Sequence, residues 1–145
     1  MRREGGFTLV ELLLSVVIIG LLVGVTAPLY NSFLRQNDLD ITLQQVAHTL
    51  RRAQTYARGV NGDSVWSVAV QSDAITLFKG TTFASRDTSF DEVISLPATI
   101  TASGLSEVQF SKVTAAPNTT GTVNLTTTAG EVKTVTLNAK GMVEY

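Results

Sequence analysis

Apolar positions fall along this chain in two regimes. From Phe7 to Tyr30 they run almost unbroken as FTLVELLLSVVIIGLLVGVTAPLY, twenty-four residues with the single charge of Glu11. As a helix this run is long enough to cross a hydrocarbon layer of about 30 Å. Beyond Asn31 the apolar residues thin to a helical spacing, with Leu39, Leu43, Val46, Leu50, Ala53 and Ala57 forming one stripe on a polar segment. An amphipathic continuation of the same helix is expected. Gly59 and Asn61-Gly62-Asp63 supply stop and turn signals, which ends it near Arg58 after about fifty residues, or about 75 Å at 1.5 Å each.

From Ser64 the period shortens. Val65–Val70 and Ala74–Phe78 flank Ser72-Asp73 and predict a β-hairpin. Further strands are expected at Glu92–Leu96, Thr99–Thr101, Glu107–Lys112, Thr122–Thr128 and Val132–Asn138, separated by Pro97, Gly104, Pro117-Asn118, Ala129-Gly130 and Lys140-Gly141. The expected fold class is α+β, a long N-terminal helix packed on an antiparallel sheet or sandwich. Its parts are a leader at 1–6, a transmembrane and assembly helix at 7–30, an amphipathic stem helix at 31–59, and a β domain at 64–145.

Composition adds location and exclusions. The chain has 145 residues and a formal net charge of -1, so its bulk electrostatics call for no polyanionic partner. It has no cysteine, which removes disulfides, thiolate metal sites and thiol nucleophiles together. Arg2 and Arg3 precede the apolar run and no basic residue follows it until Arg35, which leaves the N-terminus in the cytoplasm and the body of the protein outside.

An ordinary secretory signal is cut at small residues after its apolar stretch, but here the run passes through Pro28 into polar helix with no such site. The small pair Gly5-Gly6 stands before the run instead, so cleavage there would leave the apolar helix on the mature chain. Glu11 is costly in a spanning helix, by about 2.5–3.5 kcal/mol on insertion scales, unless it finds a cation. The new α-amino group of Phe7, its own or a neighbouring subunit's, is a candidate partner; an interfacial Glu11 that merely snorkels is the plainer alternative. Pro28 deletes a backbone donor, so a bend or melted turn is expected there. Gly20 and Gly24 form a G-x-x-x-G pair that lets helices approach closely.

The segment Gly6-Phe7-Thr8-Leu9-Val10-Glu11-Leu12 resembles the signal of type IV pilins and type II secretion pseudopilins, with Gly20 and Pro28 where those families often carry a helix glycine and a kinking proline. The resemblance implies cleavage between Gly6 and Phe7 by a prepilin peptidase, N-methylation of Phe7, and Glu11 guiding docking into a filament. The implied partners are other pilin or pseudopilin subunits, the peptidase, an inner-membrane assembly platform and, before assembly, lipid. No catalysis, cofactor or metal is implied. The segment Gln44–Arg58, with LRRAQTYA, and the strand bearing Trp66-Ser67-Val68 resemble GspH/FimT-type minor pseudopilins, which pack a long helix on a β-sandwich-like domain without a disulfide loop. A major pilin shares the first thirty residues and stays open as an alternative.

Other clusters read more plainly. Arg51, Arg52 and Arg58 would suit DNA binding at a pilus tip, but Asp38, Asp40 and Asp63 surround them, and a solvated helix face is the simpler account. Asp87, Asp91 and Glu92 in RDTSFDE lack the full calcium-loop pattern and suggest a turn. His48 has no cysteine or evident carboxylate to form a triad or zinc cluster and is expected to lie on the stem helix. The sequons at Asn118 and Asn124 are better explained by the β propensity of a threonine-rich sheet.

Overall fold

A computed structural model describes residues 6–145, apart from the side chains of residues 25–29 and 31. Helix α1 spans Leu9–Arg58 and is followed by β1 (Trp66–Val70), β2 (Ala74–Lys79), β3 (Asp87–Ser95), β4 (Ile100–Gly104), β5 (Glu107–Phe110), β6 (Gly121–Thr127), β7 (Val132–Leu137) and β8 (Val143–Glu144). By contacts the chain divides after Gln36 into an N-terminal helical unit and a unit comprising residues 37–145.

In the second unit the helix buries the face its periodicity marks. Leu39, Val46, Leu50, Ala53 and Ala57 are 0–1% exposed and Leu43 is 8% exposed. Thr42 and Thr49 widen that face; each hydroxyl donates to the carbonyl four residues back, at 2.7 Å, and so enters the core without an unpaired donor. The helix stops at Arg58. Val60 then takes φ 50°, a left-handed conformation expensive for a β-branched residue, and Gly62 and Asp63 follow with φ 64° and 51°.

The strands form two antiparallel four-stranded sheets, ordered β3-β2-β1-β5 and β4-β6-β7-β8. The chain builds β1 to β3 as a meander, crosses to the other sheet for β4, returns for β5, and ends with the β6–β8 meander. One core draws Val68, Ile75 and Val108 from the first sheet, Val123, Leu125 and Val135 from the second, and the buried face of α1. The other face of the first sheet is closed locally: Phe78 is fully buried and its ring meets Phe83 at 5.7 Å. The α+β architecture with antiparallel sheets is therefore as expected.

Three expectations change. RDTSFDE is neither a calcium loop nor a turn: Asp87–Ser95 is an edge strand, beginning five residues before the expected Glu92. Its acidic side chains are used in pairing, Asp91 with Arg86 at 2.7 Å and Glu92 with Arg52 at 2.5 Å. Among the described residues no group of His, Asp or Glu is arranged to hold a metal. Strand β8 was not foreseen. The melted turn expected at Pro28 is absent, because α1 is assigned as helix without interruption through that position; a bend there involves the side chains of residues 25–29, outside the described set.

Candidate functional site

The N-terminal unit begins with a reciprocal cap. The Thr8 hydroxyl accepts the Glu11 amide at 3.3 Å, and the Glu11 carboxylate accepts the Thr8 amide and hydroxyl in long contacts of 3.5 Å. This is the capping-box arrangement of Thr-x-x-Glu, in which two otherwise orphaned amides at a helix start are satisfied by each other's side chains. The Leu12 amide reaches the Thr8 carbonyl at 3.2 Å, and the Ser15 hydroxyl donates to the Glu11 carbonyl at 2.8 Å. Glu11 also sits where the helix carries its partial positive charge, which favours a carboxylate. It thus has a local polar partner before any cation is supplied. Thr8 was missed as a functional residue, although Thr8 and Glu11 ahead of an apolar run were a readable signal.

The residues beside the cap are open. Phe7 is 85% exposed, and an added Cβ at Gly6, Gly20 or Gly24 would meet nothing within 4 Å. Every large apolar residue from Phe7 to Val23 is between 48% and 85% exposed. A contiguous apolar surface of this kind has no stable existence in water and calls for lipid or for other helices. Among the described residues, no helix is long and apolar enough to cross a membrane; the described side chains of the apolar run end at Gly24. Residues 1–5 of the expected leader and the side chain of Pro28 lie outside the described residues.

At the far end of α1 two of the three arginines expected to form a basic patch, Arg51 and Arg52, are spent on structure, and Arg58 is exposed. Arg52 donates to Tyr56 Oη at 3.1 Å and pairs with Glu92, and hydrogen bonding to the Tyr56 hydroxyl, then to Glu92, raises its already high pKa. Arg51 donates to the Val143 carbonyl at 3.3 Å and lies over the Tyr145 ring at 5.3 Å. Tyr56 in turn meets Trp66 at 4.7 Å, and Trp66 Nε1 donates to the Asn61 carbonyl at 2.9 Å. This network joins the helix end to β1 and β3. His48 is exposed on α1.

Residues 1–27 match the family model described as the prokaryotic N-terminal methylation motif. The chain carries the type IV pilin and pseudopilin signal. No curated protein and no solved structure matches it. The match covers residues 1–27 alone; the motif is one of pilin-type subunits, and it implies assembly with other pilin subunits and processing by a prepilin peptidase. The motif points to a membrane-anchored N-terminus.

Proposed function

We propose that this prepilin is cut between Gly6 and Phe7, methylated on the new Phe7 amine, and held in the cytoplasmic membrane by residues 7–30 with its N-terminus inside. It is then drawn into a type IV pilus or type II secretion pseudopilus as a minor subunit of GspH/FimT type. The observation that carries this reading is the exposed apolar helix behind the Thr8–Glu11 cap: lipid covers it before assembly and neighbouring helices afterwards. In the filament Glu11 exchanges its long contacts to Thr8 for the Phe7 ammonium of an adjacent subunit, pairing two charges that are each costly alone in an apolar medium.

The minor-subunit assignment is supported by the cysteine-free domain of two four-stranded sheets and by the Arg52–Tyr56–Trp66 network in the segment that resembles the GspH/FimT type. Intact-mass measurement on protein purified from membranes tests the proposal. Loss of residues 1–6 with gain of one methyl group is expected. An uncleaved chain, or a cut elsewhere, overturns it. Abundance in sheared filaments then separates the minor from the major role.

A further inference from the structure

Asn61 and Gly62 stand as an Asn-Gly pair in the loop that follows α1, and both are exposed. Gly62 takes φ 64°, and a Cβ added there would lie 2.9 Å from Lys79 Nζ and 3.2 Å from its Cε. The backbone conformation thus favours glycine, and the Lys79 ammonium stands against the space that a side chain would fill. Among the described residues the Asn61 carboxamide makes no hydrogen bond, while the Asn61 backbone carbonyl accepts Trp66 Nε1 at 2.9 Å. Other asparagines of this unit are held. Asn118 Oδ1 accepts the Gln109 amide at 2.8 Å, and Asn138 Oδ1 accepts the Lys140 and Met142 amides at 3.0 and 2.9 Å. Asn124 lies within β6. Each of these three is followed by a residue with a Cβ, namely Thr119, Ala139 and Leu125.

Three conditions for an intramolecular reaction meet at this loop. The carboxamide is free to turn, the following residue has no Cβ to obstruct its own nitrogen, and a cation stands beside the peptide that must become a nucleophile. We propose that Asn61 deamidates spontaneously in the folded protein, promoted by the Lys79 ammonium. Hydroxide removes the Gly62 amide proton, and the Gly62 nitrogen attacks Asn61 Cγ. Lys79 stabilises the negative charge that develops on the Gly62 peptide. The Cγ–Nδ2 bond then breaks, the departing nitrogen takes a proton from water and leaves as ammonia, and a succinimide ring remains. Water opens the ring on either side. Opening at Cγ gives aspartate; opening at the main-chain carbonyl carbon gives isoaspartate, whose backbone runs through Cβ and Cγ. In sum one water is consumed and one ammonia is released, with no change of oxidation state.

Either product adds a negative charge close to Asp63. Isoaspartate also removes the peptide carbonyl that holds the Trp66 indole. Trp66 meets Tyr56 of α1 at 4.7 Å and Phe90 of β3 at 6.3 Å, so the modification loosens the joint between helix and sheet. The site lies wholly within the second unit and does not depend on the reading of the N-terminus.

Peptide mapping by mass spectrometry tests this on the full chain in detergent micelles, incubated in mildly alkaline buffer. Conversion of amide to acid is expected at Asn61 before Asn118, Asn124 or Asn138, with isoaspartate among the products. Emission of Trp66, the sole tryptophan of the chain, is expected to shift to the red as isoaspartate accumulates. Lys79→Met is expected to slow the conversion about fivefold or more, the factor that a unit charge about 4 Å away is worth in water, and Lys79→Arg to keep the rate. Trp66 emission before incubation shows that each variant is folded. An Asn61 that reacts in the urea-unfolded chain and not in the folded one overturns the proposal. Equal conversion of all four asparagines overturns it too, as does a Lys79→Met variant that reacts as fast as the unaltered chain.

Discussion

Thr8 and Glu11 hold each other across the first turn of α1, hydroxyl to amide at 3.3 Å and carboxylate back to amide at 3.5 Å. Two roles therefore meet in Glu11, a cap within its own chain and a charge available to a neighbour. The substitutions Thr8→Ala and Glu11→Ala separate them. Loss of the cap residue costs about 1 kcal/mol of helix-start stability, so Thr8→Ala is expected to speed amide exchange at Glu11 and Leu12 while Thr8→Ser does not. Glu11→Ala is expected to leave membrane insertion intact and to reduce recovery with filaments in a pull-down. Unchanged recovery would show that the carboxylate acts only as a cap.

Trp66 is the joint between helix and sheet. It is 4% exposed, contacts Tyr56 at 4.7 Å and Phe90 at 6.3 Å, and donates its indole proton to Asn61. Trp66→Ala is expected to cost about 3–5 kcal/mol, measured by urea titration of circular dichroism. Glu92→Ala breaks an ion pair whose side chains are 45% and 43% exposed, and is expected to cost at most about 1 kcal/mol. Equal losses would mean that the Arg52–Glu92 pair carries the joint.

What could be read from the chain followed from how completely each segment is buried on one face. The stripe from Leu39 to Ala57 repeats with the helical period because only one side of α1 meets the sheets. The hairpin of β1 and β2 was legible from its apolar runs and the Ser72-Asp73 turn. Strand β3 was read too short because Asp87, Thr88, Ser89 and Phe90 are all exposed at a sheet edge, so no buried face imposes an alternation on them. Strand β8, two residues long, offers no period at all. The fate of Arg51 and Arg52 was invisible for another reason: Val143 and Glu92 lie far away in sequence, and nothing local marks them as partners.

The loop after α1 has an acid-sensitive tie. Lys112 Nζ donates to Asp63 Oδ1 at 2.6 Å, and this hydrogen bond, with the ammonium charge, lowers the Asp63 pKa below 3.8. A carboxyl whose pKa is lower when folded binds its proton more readily when unfolded, so folding is favoured above the unfolded value. That contribution is lost as pH falls through the folded value. Because Asp63 is fully exposed the effect is small and is weakened by salt. Stability curves of the chain and of Asp63→Asn are expected to converge below about pH 4 and to separate slightly above it. A separation that appears only on acidification contradicts the sign.

Gly104 marks where the chain leaves the second sheet for the first. Its φ is 96°, and a Cβ there would lie 2.2 Å from the Thr122 carbonyl oxygen, a backbone atom that also accepts the Leu105 amide at 3.0 Å. Neither the conformation nor the space tolerates a side chain. Gly104→Ala is expected to cost about 1–3 kcal/mol or more in thermal unfolding, and to loosen exchange at Leu105 first. Gly130→Ala is the control: its φ of 87° is similarly strained but an added Cβ meets nothing, so its smaller loss isolates the steric term.

Gly20 and Gly24 supply the opposite case. A side chain at either meets nothing within 4 Å, so the single chain has no packing reason for the absence of one. If the pair exists to admit a neighbouring helix, Gly20→Leu and Gly24→Leu should leave membrane insertion and the stability of residues 37–145 unchanged, since leucine is a better helix former than glycine. The same changes should lower incorporation into filaments, because close approach of two helix backbones depends on small residues at the contact. Recovery of subunits in sheared filaments, set against the amount in membranes, measures this directly. Undiminished recovery of both variants would place the helix contacts on another face of α1 and leave the glycines without an assembly role.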